Sequence, residues 1–299
     1  MGDNSFQVDI DPGLQRIARY LPRTAVSPKS LRFMRALESL PLIRSAKGVE
    51  VLTLPHGQTV RLHRPPGQDG PAPALLWIHG GGYVIGKPVQ CDGLCRRFST
   101  MLGITVAAPS YRLAPEHPYP AALEDLYAAL RWLASLPAVD ASRIAIGGES
   151  AGGGLAAAFA FMVRDRGEFT PVLQLLSYPM LDDRTTANPA VAHSHRLWNE
   201  RSNRFGWASY LGDADPAVAV PARREDLAGL PAAWIGVGTA DLFHEEDVAY
   251  AERLEKAGVP CHLEVVPGAF HGFDHIAARA SVSRAYFDSQ REALRKALC

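Results

Sequence analysis

The sequence predicts an α/β protein built on a mostly parallel sheet, and two observations support this prediction. Short apolar runs recur along the chain, each followed by a Gly-rich or Pro-rich loop and then by a helical stretch. The runs do not alternate apolar with polar residues, which is typical of strands buried on both faces. With 299 residues, 47% of them hydrophobic, the chain can bury a large core.

The first predicted strand covers residues 74–78, an unbroken Ala-Leu-Leu-Trp-Ile run. Five later runs are interpreted in the same way: 104–108, 143–146, 173–176, 234–237 and 262–266. Between them, stretches with apolar residues at helical spacing predict the crossover helices 121–133, 154–166 and 247–257. No repeat or low-complexity linker divides the chain, so we expect residues 1–299 to form a single domain.

Two stretches lie outside this alternation, and we expect them to form a helical cap: about 1–45 and about 185–220. In the first, Ser27 followed by Pro28 is a typical helix start. The apolar stripe that follows packs either in the cap or against the domain's own surface; it comprises Leu31, Met34, Leu37 and Leu40. The second stretch supplies bulky groups that could roof a substrate pocket: Trp198, Phe205, Trp207, Tyr210 and Leu211.

The charge balance limits the classes of partner. The 31 basic and 31 acidic side chains cancel, which argues against nucleic acid and anionic membranes and favours a small neutral molecule. No run of about 20 apolar residues is present to span a bilayer, and the N-terminus lacks a secretory signal, so we expect a cytoplasmic protein. The four cysteines have no disulfide or zinc-knuckle spacing and are expected to be reduced thiols: Cys91, Cys95, Cys261 and Cys299.

Residues 148–152, Gly-Glu-Ser-Ala-Gly, match the pattern G-x-S-x-G between a predicted strand and a helix of small residues. A serine on such a sharp turn adopts a strained backbone and presents its hydroxyl to substrate. Glycines two positions away are needed because side chains there would collide. The alternative is a Gly-rich turn with an incidental serine. The placement favours Ser150 as a nucleophile.

A second Gly-rich loop, His-Gly-Gly-Gly-Tyr at residues 79–83, follows the strand 74–78. At this place we expect the backbone N–H groups of Gly81 and Gly82, together with that of Ala151, to form an oxyanion hole. Losing one such donor typically costs about 3 to 4 kcal/mol of transition-state stabilisation. A phosphate-binding loop is the alternative, but neither G-x-G-x-x-G nor a P-loop lysine is present. His79 is interpreted as bracing the loop.

The general base must be a histidine late in the chain, since the order in this arrangement is Ser, then Asp or Glu, then His. The candidates are His193, His195, His244, His262, His271 and His275. His271 is favoured over His275 because its Gly-rich loop follows the last predicted strand, where ligand-facing residues lie in open α/β sheets. Asp241 follows the preceding strand and is the predicted acid, with helix capping as its alternative. We interpret the acidic residues 245–247 as the first turn of the next helix.

Together these motifs resemble the hormone-sensitive-lipase-like family of bacterial carboxylesterases, within the α/β hydrolases. The resemblance runs from about residue 74 onward and rests on five segments: 79–83, 111–125, 148–153, 178–183 and 271–273. It implies an α/β-hydrolase fold with an eight-stranded sheet, flanking helices and a partly N-terminal cap. It also implies that no cofactor is needed, and that the triad roles fall on Ser150, Asp241 and His271. Two departures are Glu149, where the family often has Asp or Thr, and Leu242-Phe243 after the acid, where it often has Pro-Leu.

The predicted function is hydrolysis of short-chain carboxylic esters by a serine carboxylesterase through an acyl-enzyme intermediate. A lactone or amide hydrolase with the same triad is the main alternative, and a non-catalytic ligand-binding protein on this scaffold is the alternative from another class. A true lipase is disfavoured by the absence of an obvious amphipathic anchor. The resemblance also implies a homodimer formed through a sheet edge or the last helix, near 283–298.

Overall fold

The computed structural model describes residues 9–299 apart from 25, 40–47, 56 and 190. Its centre is an eight-stranded sheet of order β1-β2-β4-β3-β5-β6-β7-β8. The strands are β1 (Glu50–Thr53), β2 (Thr59–His63), β3 (Ala72–Ile78), β4 (Thr105–Pro109), β5 (Val139–Glu149), β6 (Gln174–Ser177), β7 (Ala233–Gly238) and β8 (Cys261–Val266). The β1–β2 and β2–β4 pairs are antiparallel and the others are parallel, which confirms the predicted mostly parallel sheet.

The helices in the described residues flank this sheet. They are α1 (Pro12–Ala18), α2 (Leu31–Ser39), α3 (Asp92–Leu102), α4 (Ala121–Ala134), α5 (Ala151–Arg166), α6 (Glu200–Leu211), α7 (Pro216–Ala219), α8 (His244–Lys256), α9 (Phe273–Ile276) and α10 (Ser281–Leu298). Short 3₁₀ turns cover Pro88–Cys91 and Pro221–Arg223. The six predicted strands correspond to β3–β8, and the three crossover helices to α4, α5 and α8.

Successive residues of β3 point to opposite faces of the sheet and so enter two different cores. Leu75 and Trp77 pack with Phe98 of α3 and Phe287 of α10. On the opposite face, Ala74, Leu76 and Ile78 join a second apolar core that includes residues of α4, α5 and α8. Both faces of the central strands are therefore covered, which explains their unbroken apolar runs.

Strands β1 and β2 were not predicted from the sequence, and the side chains of β2 show why. Arg61 and His63 interrupt its apolar pattern although both are buried. The Arg61 guanidinium donates to both carboxylate oxygens of Asp92, at 2.6 Å each, so its charge is paired inside the fold. A buried ion pair with good geometry makes such a strand tolerable. Its partner lies 31 residues away in the sequence, which hides it from a local pattern.

The N-terminal segment and the stretch 185–220 contact each other above the carboxyl edge of the sheet. The Leu197 N–H donates to the Pro22 carbonyl at 2.8 Å, and the Ser202 hydroxyl donates to the Val26 carbonyl at 2.8 Å. Helix α2 is tied to the loop after β3, because Arg35 Nε donates to the Val84 carbonyl at 2.8 Å. In the predicted α2 stripe Leu31 is buried and Leu37 exposed, and Leu40 lies outside the described residues.

Candidate active site

Ser150 occupies the sharp turn between β5 and α5. Its φ of 55° and ψ of −124° are strained for a residue with a side chain. The turn is fixed by the Ser150 N–H, which donates to the Ser177 carbonyl at 2.9 Å, and by the Ser150 carbonyl, which accepts from Gly154 N–H at 2.9 Å. A Cβ atom at Gly148 or Gly152 would run into neighbouring backbone, so both predicted glycine requirements hold.

The side chains of Ser150, His271 and Asp241 form a continuous chain of contacts within hydrogen-bond distance. His271 Nε2 lies 2.8 Å from Ser150 Oγ, and His271 Nδ1 lies 2.8 Å from Asp241 Oδ2. Asp241 follows β7 and His271 follows β8, so all three residues meet at the carboxyl edge of the sheet, where open α/β folds place their ligands. All three side chains are buried.

Further contacts fix the orientation of the acid and the imidazole. The second Asp241 oxygen, Oδ1, accepts from the Phe243 N–H at 3.1 Å. The rings of Tyr178 and Phe243 meet the His271 ring edge-on, with centroids 4.9 and 5.2 Å away. The Asp241 carboxylate is therefore used at both oxygens and the imidazole is held on two sides. Asp241 therefore makes the predicted contact to His271 and also a local hydrogen bond to the Phe243 N–H, similar to the helix-capping role considered as its alternative.

The Gly-rich loop after β3 lies beside Ser150. A Cβ atom built on Gly80 would be 3.3 Å from the Ser150 Cβ. Gly81 and Gly82 have φ values of 125° and 60°, which disfavour any side chain. Among the residues that the structure describes, none accepts a hydrogen bond from the backbone N–H groups of Gly81, Gly82 or Ala151. These three donors are therefore open to a ligand next to Ser150.

His79, at the start of this loop, is a structural group. Its Nδ1 lies 2.8 Å from the Gly80 carbonyl, and its ring stacks on Tyr111 at 4.3 Å. The Tyr111 hydroxyl in turn donates to the His79 carbonyl at 2.9 Å. Burial lowers the pKa of His79 to about 4, so its ring is neutral at physiological pH. The interpretation of His79 as a loop brace fits these contacts.

Glu246 and Asp247 lie in the first turn of α8, as predicted, but the expectation of an ordinary helix-end acidic turn was incomplete because both are buried. Glu246 accepts from the backbone N–H groups of Leu181 at 2.6 Å and Asp182 at 3.2 Å. Neither oxygen of Asp247 has a hydrogen-bond partner in the described part of the chain. Burial, and then the nearby Glu246 and Asp241, raise the pKa of Asp247 well above its ordinary value.

Glu149 and His275 form an ion pair that the sequence did not predict, in which the Glu149 side chain is largely buried and the His275 side chain is 31% exposed. Their Oε2 and Nε2 atoms are 2.5 Å apart. His275 was considered only as an alternative base, and Glu149 only as a departure from the family pattern. The two residues are far apart in the sequence, and His275 lies in helix α9, so no local spacing indicated the contact.

Comparison with known proteins adds to this geometry. A family model described as alpha/beta hydrolase fold matches residues 75–275, more than half of the chain. The chain belongs to this family. The predicted resemblance to the hormone-sensitive-lipase-like group of α/β hydrolases is thereby confirmed.

Relatives of this α/β hydrolase carry esterase names. The esterase LipI of Mycobacterium tuberculosis is 35% identical over 90% of this chain and 83% of its own length. An ethyl acetate hydrolase of Pseudomonas putida is 37% identical over 73% of this chain and 72% of its own. The solved structure of a bacterial heroin esterase superposes with a TM-score of 0.87 at 35% identity, covering 97% of this chain and 98% of that one. These relatives support the predicted enzyme class, a carboxylic ester hydrolase of the α/β-hydrolase type.

None of the helices in the described residues combines the length and apolarity needed to cross a bilayer.

Proposed function

We propose that this α/β hydrolase is a serine carboxylesterase that cleaves short-chain carboxylic esters, with Ser150 as nucleophile, His271 as general base and Asp241 as the orienting acid. The observation that carries the proposal is the continuous line of contacts from Ser150 Oγ through His271 to Asp241, with both distances at 2.8 Å. A hydroxyl within hydrogen-bond reach of an imidazole that is itself oriented by a carboxylate is the arrangement nucleophilic catalysis requires.

In the first half of the reaction, Ser150 Oγ attacks the ester carbonyl carbon while His271 Nε2 takes the hydroxyl proton. Asp241 accepts from His271 Nδ1–H and stabilises the imidazolium without taking the proton. The tetrahedral intermediate then collapses, the bond to the alcohol oxygen breaks, and His271 returns the proton to the leaving alcohol. Ser150 is left acylated.

In the second half, a water molecule replaces the alcohol. His271 removes one proton from the water as its oxygen attacks the acyl carbon, and returns that proton to Ser150 Oγ as the acid leaves. In both halves the N–H groups of Gly81, Gly82 and Ala151 donate to the developing oxyanion, and their lack of other acceptors among the described residues supports this role.

We further propose that residues 1–299 form one domain in which the N-terminal segment and the stretch 185–220 act as a cap. Contacts between the two segments support a common unit, and Trp198 reaches from it to the Gly-rich loop. Trp198 is buried beside Gly82 and the His271 ring, and a large side chain at this place favours a short acyl group. The name of the ethyl acetate hydrolase among the relatives is in keeping with a small acyl group.

A lactone or amide hydrolase would use the same three residues, so rates on matched ester, lactone and anilide substrates separate these readings. The esterase names of the relatives favour the ester. Dimerisation through a sheet edge or the last helix, near 283–298, and a cytoplasmic location stay predictions.

The nucleophile can be tested by covalent trapping. An alkyl fluorophosphonate should add once to the wild-type chain, as read by intact mass, and peptide mapping should place the adduct on Ser150. The folded Ser150→Ala and His271→Ala variants should stay unlabelled, the first for lack of the nucleophile and the second for lack of the base. Labelling of the Ser150→Ala chain at the wild-type rate would contradict the proposal.

A further inference from the structure

Glu149 lies between the turn that carries Ser150, the Gly-rich loop after β3 and helix α9. It precedes Ser150 directly, and its side chain lies beside Gly80, where an added Cβ atom would be 3.4 Å from the Glu149 Cγ. Its Oε1 lies 3.6 Å from the Cys91 Sγ, whose S–H donates to it. Its Oε2 lies 2.5 Å from Nε2 of His275, in helix α9, which follows His271 directly in the chain. The last contact lacks the alignment of a hydrogen bond, so we describe it as an ion pair.

Other titratable and charged groups surround this pair. The titratable groups that influence Glu149 are His79, Cys91, Cys95, Tyr111, Tyr178, Asp274 and His275. On the other side of His275 lie Asp274, whose Oδ2 is 3.9 Å from Nε2, and a cavity lined by Arg16 and Arg279. The Tyr178 hydroxyl donates to Asp274 Oδ1 at 2.7 Å. Among the residues that the structure describes, His275 is the cation in contact with Glu149.

The 2.5 Å contact between opposite charges favours the ionised form of both groups. Burial acts to lower the pKa of His275, but Glu149 and Asp274 together raise it to about 10. Burial acts to raise the pKa of Glu149, yet His275, Cys91 and His79 hold it below its ordinary value. The side chain next to the nucleophile is thus a carboxylate, and a neighbouring imidazolium balances its charge.

A carboxylate without its cation would oppose the reaction. The proposed mechanism builds negative charge between Ser150, the residue after Glu149, and the Gly80–Gly82 loop, whose first residue lies beside the Glu149 side chain. Like charges repel strongly where water is excluded, so an unbalanced Glu149 would raise the energy of the tetrahedral intermediate more than that of the bound ester.

We propose that His275 is a positioning residue that acts through Glu149, neutralising the carboxylate beside the nucleophile so that the oxyanion can form. This inference rests on the proposed esterase function. It assigns His275 a role distinct from that of His271, which removes the proton.

The test is a double-variant cycle with His275→Gln, Glu149→Gln and the two combined, each checked for folding by circular dichroism. His275→Gln leaves the carboxylate unbalanced, so kcat on a p-nitrophenyl ester should fall by about tenfold to hundredfold with KM little changed. Glu149→Gln removes the charge and should cost less. The double variant should recover most of the loss. His262→Gln, which breaks the exposed His262–Glu264 pair at 3.4 Å, is the matched control and should keep wild-type activity.

The pH profile separates charge compensation from simple bracing. The ratio of His275→Gln to wild-type kcat should rise as pH falls from 8 to 6, because protonation of the unpaired Glu149 removes the offending charge. The dependence that both proteins share through His271 cancels in this ratio. For the double variant the ratio should be flat. The opposite result has three parts: Glu149→Gln is as harmful as His275→Gln, the double variant is no more active than either, and every ratio is independent of pH. The pair would then only brace the neighbouring segments, and the inference would be overturned.

Unfolding in urea gives a readout that does not depend on activity. At pH 8 His275→Gln should be less stable than the double variant, and the gap should close as pH falls, since protonating the buried carboxylate relieves it. Equal stability at all pH values would overturn charge compensation. A wild-type chain that cleaves no ester would overturn the proposed function instead, and the unfolding data would then decide the state of the pair on their own.

Discussion

The indole ring of Trp198 occupies the space that a Cβ atom on Gly82 would need. The same ring lies 6.5 Å from the His271 ring, and its Nε1–H donates to Asn203 Oδ1 at 3.3 Å. Next to it, Leu197 has a φ of 66°. One side chain of the stretch 185–220 therefore lies next to both the candidate oxyanion loop and the candidate base.

Shortening Trp198 should change the range of acyl chains accepted. In Trp198→Leu we expect the kcat/KM for a hexanoyl ester, relative to an acetyl ester, to rise by about tenfold or more. Each methylene of the acyl chain that is bound in an apolar pocket lowers the free energy of the transition state by roughly 1 to 3 kcal/mol. The measurement is a p-nitrophenyl ester series on both proteins. Leu211→Ala, at the end of α6, serves as a control for a general loss of packing. An unchanged chain-length profile would mean that Trp198 does not bound the acyl site.

Gly82→Ala should lower activity and stability by more than the left-handed backbone conformation of Gly82 alone would cause. Gly82→Ala meets both a φ of 60° and the Trp198 ring, whereas Gly103→Ala meets a φ of 67° with nothing within 4 Å. The control Gly103→Ala should lose about 1 to 2 kcal/mol of unfolding free energy and keep its activity. Gly82→Ala should lose more stability and most of its kcat. Equal effects of the two variants would remove the Trp198 contact from the explanation.

Asp241→Asn should leave the fold intact while lowering kcat by about 10⁴-fold, because an amide that donates to His271 Nδ1 would favour the wrong tautomer. Steady-state kinetics and circular dichroism on the same samples test this. Glu245→Gln, an exposed carboxylate four residues later, is the matched control and should retain activity. Full activity in Asp241→Asn would require a different acid for His271.

Asp247 should make stability depend on pH. Its raised pKa means that the folded state holds a proton that the unfolded state releases above about 4, so wild type loses stability as pH rises. Asp247→Asn has no proton to lose. Its unfolding free energy relative to wild type should therefore increase by up to about 1.4 kcal/mol per pH unit above pH 4. Urea titrations at several pH values measure the difference, and parallel curves for the two proteins would contradict it.

The sequence predicts those elements that depend on residues close to one another in the chain. Strands β3 to β7 are apolar over the residues that both faces cover, and the turn at Ser150 needs glycines at fixed offsets, so both features are visible in the sequence. The Ser150, Asp241 and His271 positions follow from the same logic, since each comes directly after the carboxyl end of a strand.

What the sequence did not predict depends on contacts between distant segments. Strand β2 is acceptable in the interior only because Arg61 finds Asp92. The buried state of Asp247 follows from its place one turn before Ala251 on the covered face of α8, a spacing that was present but was outweighed by its charge. The Glu149–His275 pair spans residues far apart in sequence, and nothing in either local motif indicates its partner.

The most direct test of the account is the hydrolysis of a p-nitrophenyl ester series by wild type and by Ser150→Ala, with circular dichroism as the check on folding. We predict that wild type prefers short acyl chains and that the folded variant loses activity by several orders of magnitude, as loss of a triad nucleophile does. A wild type inactive on every ester, or a folded Ser150→Ala that is equally active, would contradict the central claim that Ser150 is the nucleophile of an esterase.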